Sequence, residues 1–394
     1  MKILYFSPHP NLYLGIPSGP GVHMREVIQG FEQLGHEVEP VIMGGVEEPL
    51  TTVVSEEAGS PSLKQRLKPF IPNLLWQTLK DLQLMRFDKH AADELEEAIR
   101  RFQPDLIYER CYYGMTSGVE VARKQGIRHI LEMNAPYPEE RVDMEGKSLL
   151  LGKAKKKEQQ QIQQTSRLVV VSSALKAYAE KISKGAAVKT VITPNAIRSG
   201  FEPPSPESIQ AKRAALGIAE NSTVVGFVGS IFPYHGVDRL IQSFSDLAKK
   251  RETHLLIVGD GAVLEDLKRM SVELGLEGKV TFTGKVPHDQ VFEHIGVMDI
   301  TVMATSNWYG SPVKIFEYGA MKKAIVAPDV SPVRDVMTDQ ENGLLVNDSK
   351  EELSAAIATL MDDESKRESI ANSFYSKVFS KHTWKKMCEL ILSE

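Results

Sequence analysis

The sequence predicts an α/β protein built from two doubly wound, parallel-sheet domains, and three observations carry that expectation. Its 394 residues exceed one ordinary hydrophobic core and suit two. Strand and helix signals alternate from one end to the other, the pattern of βα units. A Pro/Ser/Glu-rich passage with weak periodicity, residues 200–222, separates two such alternating series and reads as the interdomain connection.

The first series opens with the short apolar run Lys2–Phe6, which ends in the turn-forming Ser-Pro-His-Pro. A Gly/Pro loop follows, then a helix over Val22–Leu34 that stops at Gly35, then a strand at Val38–Met43. Further strands are expected at Leu106–Tyr108, Ile127–Glu132, Leu168–Ser172 and Lys189–Ile192. The second series places strands at Thr223–Gly229, His254–Gly259, Lys279–Thr283, Asp299–Met303 and Ala324–Ala327, with helices between them. The last stretch, about 376–394, is amphipathic and contains Trp384. No repeat of 20–50 residues is visible. Ligands of open parallel sheets bind at the carboxyl ends of the strands, so the loops after them are where chemistry is sought.

Composition narrows the classes. Apolar content of 42% and charged content of 25% are ordinary globular values. A formal charge of −5 argues against nucleic-acid binding, and no reading motif is present. Residues 1–198 hold 26 Lys and Arg against 24 Asp and Glu, and the remainder 21 against 28, a mild asymmetry. Cys111 and Cys388 have no metal or redox spacing and read as reduced thiols of a cytosolic protein. The amino-terminal run lacks the features of a signal peptide, and no apolar run approaches the ~20 residues of a membrane helix. A soluble, cytoplasmic protein is expected, with the inner face of a membrane as an option for peripheral contact.

Four constellations are candidates for chemistry. In the first loop, Gly19 and Gly21 permit close backbone approach ahead of a helix N-terminus, with His23 just beyond. A tight structural turn explains them equally well. The third glycine of a dinucleotide fingerprint is absent, which disfavours NAD and FAD. In FVGSIFPYHGVDRLIQSF, Gly229 and Gly236 bracket a loop carrying Ser230 and His235, and the histidine is either a phosphate donor or an ordinary loop residue. In LLIVGDGAVLEDL, Gly259 and Asp260 end an apolar strand, and Asp260 is also placed to cap the next helix. After it, Lys285–His288, including Val286 and Pro287, forms a loop able to cover a flat base through backbone groups.

The fourth segment, SNWYGSPVKIFEYGAMKKAIVAPDVSPVRDVM, is the most informative. Ser311 suits a cap and Pro312 the first helical turn, which leaves the N–H groups of Val313 and Lys314 as an anion site. Lys314 adds a full positive charge, and Glu317 lies three residues on along nearly the same face. A carboxylate beside an anion site needs another partner, and a ribose diol is the natural one; a Lys314–Glu317 surface pair is the alternative.

At this point the chain resembles the large family-four retaining glycosyltransferases over most of its length. The early Gly loop, LGHEV (34–38), LVVVSSALKAYAEK (168–181), VITPNAI (191–197), FVGSIFPYHG, LLIVGDG, VTFTGKVP, GSPVKIFEYGA and NGLLV (342–346) carry the resemblance through their order and spacing. It implies a GT-B architecture of two Rossmann-like domains facing across a cleft. Residues 1–199 form the acceptor-binding domain, residues 200–375 bind the nucleotide-sugar, and the 376–394 helix packs back on the first. Family members usually carry an arginine and a lysine where Ser230 and His235 stand, and a further glutamate where Tyr309 stands. The resemblance therefore leaves Lys314, the helix start and a protonated His235 to neutralise a diphosphate, with Glu317 at the ribose. Asn134, with Glu132 beside it, matches the place where many members have a histidine near the sugar; a turn-forming Asn is the alternative. His23 and Tyr137 fall on the acceptor side.

The implied activity is retaining transfer of a sugar from a UDP-sugar, or a GDP-sugar, to a glycan, lipid-linked or small-molecule acceptor. No cofactor beyond the nucleotide-sugar is expected and, because no Asp-x-Asp pair is present, no metal. Rival readings are a sugar-nucleotide epimerase of the same fold and a non-catalytic sugar-nucleotide-binding protein. Finally, residues 63–89 hold six Lys and Arg against two Asp, interleaved with Phe70, Leu74, Leu75, Trp76 and Leu79, while 153–157 reads KAKKK. Such a surface suits anionic lipid; an ordinary core-facing helix is the alternative.

Overall fold

The structure is a computed structural model and describes residues 1–16, 19–47 and 71–393. The chain divides into two compact units, Met1–Thr193 with Lys385–Glu394, and Pro194–Trp384. Among the described residues each unit holds one six-stranded, all-parallel sheet.

In the first unit the order along the chain is β1 (Lys2–Ser7), α1 (Gly19–Gln33), β2 (Glu37–Ile42), α2 (Asn73–Phe102), β3 (Leu106–Arg110), α3 (Ser117–Gln125), β4 (Arg128–Met133), α4 (Tyr137–Glu145), α5 (Leu151–Gln164), β5 (Arg167–Val170), α6 (Ser173–Ile182) and β6 (Thr190–Ile192). The strands lie in the order β2-β1-β3-β4-β5-β6, so the winding reverses between β1 and β3. Alternate residues of β1 serve opposite faces, as the strand's two-residue period requires. Leu4 and Phe6 pack on Ala91, Leu95, Ile99 and Phe102 of α2. Tyr5 instead stacks on Tyr108, whose ring meets Phe31 of α1 edge-on at 5.3 Å.

The second unit runs α7 (Pro206–Ala215), β7 (Thr223–Val228), a 3-10 turn (Pro233–His235), α8 (Val237–Ala248), β8 (Thr253–Val258), α9 (Leu264–Glu273), β9 (Val280–Phe282), a 3-10 turn (His288–Gln290), α10 (Val291–Val297), β10 (Ile300–Val302), α11 (Val313–Ala320), β11 (Ala324–Pro328), α12 (Ser331–Arg334), β12 (Leu344–Val346), α13 (Lys350–Asp362) and α14 (Glu364–Lys381). Its order is β12-β11-β10-β7-β8-β9, with the reversal between β7 and β10. Val225, Phe227, Leu255 and Ile257 face one core; Val224, Val228, Leu256 and Val258 face the other. Both faces are covered, which explains why the strands read as unbroken apolar runs.

Several expectations change. Residues 200–222 are not a bare linker: Ser205 caps α7 by accepting from the Ser208 N–H at 3.2 Å, and Lys212 pairs with Glu293 at 3.2 Å. Ser-Pro-Glu-Ser is a helix start, and α7 belongs to the second unit, whose boundary falls at Pro194 and not at 200. The 376–394 segment is broken at His382–Thr383. Phe374 and Val378 of α14 press against Gly319, so this helix stays with the second unit. Only α15 (Trp384–Leu392) carries the chain back, from Lys385 onward. There the Ile391 carbonyl accepts from Arg167 at 2.6 Å, and Cys388 Sγ lies 3.5 Å from the Val27 carbonyl. β12, within NGLLV, is a strand the alternation did not single out.

Candidate functional site

In an open parallel sheet the loops beside the reversal of strand order form the natural ligand crevice. In the second unit those loops follow β7 and β10. Gly229, directly after β7, has φ +146°, a conformation that favours glycine. The loops after β7, β8 and β9 are stitched together by their backbones. Gly229 N–H donates to Val258 at 3.0 Å, Ile231 to Asp260 at 2.9 Å, and Gly259 to Gly284 at 3.0 Å. A Cβ on Gly259 would sit 1.9 Å from the Gly229 carbonyl oxygen, so glycine is required there by close backbone approach. Gly236, at φ +65°, caps α8 and lies against Thr305 in the loop after β10.

Onto this floor α11 brings Lys314 and Glu317. Tyr318 anchors the helix, its phenol oxygen accepting from the Val228 N–H at 2.9 Å. The Lys314 Nζ is buried without a hydrogen-bond partner and lies 4.1 Å from the centre of the Phe227 ring. A Cβ on Gly229 would come within 2.8 Å of it. Burial pushes the Lys314 ammonium down to about 8, with the Glu317 charge opposing. Burial pushes the Glu317 carboxyl up to about 7, with Lys314 opposing. The expected alternative, an ion pair between the two, does not form: neither side chain has a hydrogen bond or salt bridge among the described residues. A buried ammonium and a half-buried carboxyl are thus left without hydrogen bonds, and the unpartnered ammonium costs stability unless a ligand completes it.

Three details correct the sequence reading. Pro312, and not Ser311, holds the cap position ahead of α11, and no side chain caps the helix. The Ser311 hydroxyl accepts from the Asn195 N–H at 2.9 Å, while the Asn195 amide donates to the Ser311 carbonyl at 2.6 Å. The first-turn N–H groups of Val313 and Lys314 are accordingly left without a side-chain cap. His235 is not a source of charge: burial and the Lys314 cation push its imidazole down to about 4, so it is neutral at pH 7. Its ring lies 6.1 Å from that of Phe227. Ser230 is exposed. Asp260 does not cap α9, which begins after Val263; its carboxylate accepts from Gly261 N–H at 2.7 Å. Val286 packs against the core as Pro287 opens the following turn. Tyr309, in place of a glutamate, lies edge-on to Trp308 at 5.3 Å.

The first unit gathers a different cluster at its own reversal. Glu132, near the end of β4, is buried and surrounded by donors. It accepts from Tyr108 at 2.7 Å and from Arg110 at 2.8 Å, His23 Nε2 lies 2.8 Å away, and the Asn134 amide donates to it. Burial alone would raise this carboxyl, but His23 and Arg110 outweigh it and hold it well below the usual carboxylate range. A saturated, weakly basic carboxylate cannot serve as a proton acceptor; it orients its neighbours. Asn134 commits an amide N–H to Glu132, and its Oδ1 keeps its capacity to accept.

Beside this cluster, three aromatic rings line the strand ends. The His9 ring lies tilted against Tyr112 with centres 3.8 Å apart, and Tyr137 meets Tyr112 edge-on at 5.9 Å. Tyr137 N–H donates to Glu158 at 3.1 Å. The Tyr178 phenol bridges Glu158, at 2.8 Å, and Glu139, and burial pushes Glu158 up to about 8. His9, Arg110 and Tyr112 were not singled out by motif, although the rule of strand carboxyl ends applied to β1 and β3 names them. Gly19 and Gly21 lie in the first turn of α1 in this unit. A Cβ on Gly21 would meet the Ile16 carbonyl at 2.2 Å, whereas Gly19 has open space. Gly21 is thus explained by the preceding loop without any ligand.

Residues 17–199 match the profile of Glycosyltransferase Family 4, and residues 208–377 that of Glycosyl transferases group 1. The chain belongs to the family-four, group 1 glycosyltransferases. An uncharacterized glycosyltransferase of Methanocaldococcus jannaschii is 28% identical over 220 residues, 53% of this chain and 55% of that one. The alpha-D-kanosaminyltransferase of Streptomyces kanamyceticus is 29% identical over 170 residues, 42% of this chain and 44% of that one. The chain thus spans about half the length of the curated relatives it matches. Among solved structures, Anabaena HepE in complex with UDP superposes with a TM-score of 0.68 at 17% identity, covering 99% of this chain and 98% of that one. Sucrose-phosphate synthase of Thermosynechococcus elongatus gives 0.69 at 15% identity over 98% and 96%. These likenesses show the GT-B fold. No described helix is long and apolar enough to cross a membrane.

Proposed function

We propose that this glycosyltransferase-family chain moves a sugar, with retention, from a nucleoside diphosphate donor to a glycan, lipid-linked or small-molecule acceptor. A UDP-sugar is favoured over a GDP-sugar. The observation that carries the reading is the buried, unpartnered Lys314 Nζ against Gly229 at an uncapped helix start, with Glu317 one turn along. A diphosphate answers both the cation and the free N–H groups of Val313 and Lys314. Glu317, pushed up to about 7, accepts a ribose hydroxyl without facing the phosphates. The UDP held by Anabaena HepE supports a uridine donor here.

In the transfer, the bond from the anomeric carbon to the diphosphate oxygen breaks as the acceptor hydroxyl bonds to the same face of the sugar. The acceptor's proton passes to the departing phosphate oxygen. Lys314 and the α11 amides stabilise the charge that develops on that diphosphate, the largest contribution a protein makes to such a step. No side-chain base is required, in keeping with a Glu132 that is saturated with donors. His235, Gly236, Gly259, Asp260, Val286 and Pro287 line the nucleotide side, and Asn134 Oδ1 and Tyr137 serve the acceptor. Transfer is expected to proceed in EDTA.

Isothermal titration with UDP, uridine and pyrophosphate tests the donor site, and release of UDP from UDP-sugars tests turnover. Tight UDP binding that weakens tens-fold in Lys314→Ala is the expected result. Equal UDP affinity in the two proteins overturns the assignment.

A further inference from the structure

We propose that the N-terminal half of α2, with the adjoining turn between α4 and α5, docks on an anionic lipid surface. This does not rest on the donor chemistry of the second unit. Residues 63–70 of the basic segment lie outside the described residues, and the argument uses 73–89 alone with 144–156.

Six large apolar side chains gather here in water: Leu74, Leu75, Leu79, Leu82, Met144 and Leu149, each between 38% and 73% exposed. They share one surface because α2 and the α4–α5 turn are bonded to each other. Leu149 N–H donates to the Thr78 hydroxyl at 3.0 Å, and Asn73 and Gln77 donate to the Glu145 carbonyl at 2.9 and 3.0 Å. A gathering of this size on one surface marks an interaction site more often than chance exposure.

Charge identifies the partner. Asp81 and Asp88 are the acidic residues of 73–89, and both are buried and turned inward. Asp81 accepts from Tyr113 at 2.8 Å and lies 3.2 Å from Arg141; Asp88 accepts the N–H groups of Thr116 and Ser117 and pairs with Lys157 at 2.8 Å. Every charge that α2 shows to solvent over this half is therefore positive. Leu75, Leu79, Leu82, Arg86 and Lys89 recur at helical spacing, so an apolar stripe runs straight into a basic one. Lys147, Lys153 and Lys156 are exposed on the adjoining turn and helix, against an exposed Asp143; Glu145 is already paired with Lys80 and Arg141. Beyond His90 the exposed residues turn acidic, at Asp93, Glu94 and Glu97, which ends the surface. Apolar side chains flanked by cations suit the headgroup region of an anionic bilayer, each cation adding attraction.

Co-sedimentation of the full chain with vesicles tests this. The chain is expected to pellet with phosphatidylcholine–phosphatidylglycerol vesicles and not with phosphatidylcholine alone. Arg86→Gln and Lys89→Gln should each weaken partitioning about fivefold. The triple variant L75E/L79E/L82E should abolish it, with its UDP affinity unchanged as a sign that the chain is folded. No pelleting with the anionic vesicles overturns the proposal, as does undiminished pelleting of both the triple variant and the Arg86/Lys89 double variant. A wild-type dimer that the triple variant reduces to a monomer, without vesicle binding, assigns the face to a second copy of the chain and also overturns it.

Discussion

Glu132 and Glu317 are the same residue type near the carboxyl ends of equivalent sheets, yet their surroundings are opposite. Glu132 receives four donors and is held ionised far below its ordinary range. Glu317 has no partner among the described residues and is pushed up to about 7. Burial acts on both in the same direction; the supply of donors decides the outcome. The first carboxylate is finished by the fold, and the second is left for something that arrives. That contrast separates a residue that holds the architecture together from one that waits for a ligand.

The largest expected effect lies on the finished side. Glu132→Gln leaves Arg110 buried without its counter-charge and should lower unfolding free energy by about 3–5 kcal/mol, measured in urea. A loss below about 1 kcal/mol would break the contrast. Next comes Lys314→Ala, expected to weaken UDP binding by about 2–3 kcal/mol in calorimetry while leaving the unliganded protein no less stable, since it removes an uncompensated buried charge. Glu317→Gln should cost about tenfold in UDP affinity and nothing in pyrophosphate affinity, because the proposed partner is the ribose. If both ligands weaken alike, the ribose assignment fails.

The smallest effects are in pH. Lys314 must be protonated to hold an anion, so UDP affinity should fall as pH rises through about 8, and Lys314→Gln should flatten that dependence. In the unliganded protein the lowered Lys314 value is a stability penalty, fully present below about 8 and relieved as pH climbs towards the unfolded value of 10.5. Glu317 is raised, so its contribution is present below 4.5 and lost as pH rises through about 7. Thermal melts of Glu317→Gln should lack that decline.

Much of the fold was legible because parallel strands covered on both faces are apolar through their centres, as Val224–Val228 and Leu255–Val258 are. The α11 segment was legible because its chemistry is compressed into six residues, Pro312 to Glu317. The Glu132 cluster was not: His23 comes from α1, Tyr108 and Arg110 from β3 and Glu132 from β4, and no spacing announces that they meet. The same holds for Asn195, which reaches Ser311 across more than a hundred residues, and for Asp81 and Asp88, whose inward turn hides the sign of the α2 surface from any count of charges. The helix at 206–215 was missed because Pro and Ser were weighed as breakers when, at a first turn, they are starters.

Tyr178 has a single hydroxyl hydrogen, yet its oxygen is bonded to both Glu139 and Glu158. One of the two carboxyls must therefore carry a hydrogen and donate it back, and Glu158, pushed up to about 8, is that group. The native state thus stores a proton near neutrality that the open chain, at an ordinary carboxyl value of 4.5, gives to solvent. On melting near pH 6.5 Glu158 accordingly gives up that proton, and its share of the heat recorded there changes with the ionisation enthalpy of the buffer chosen.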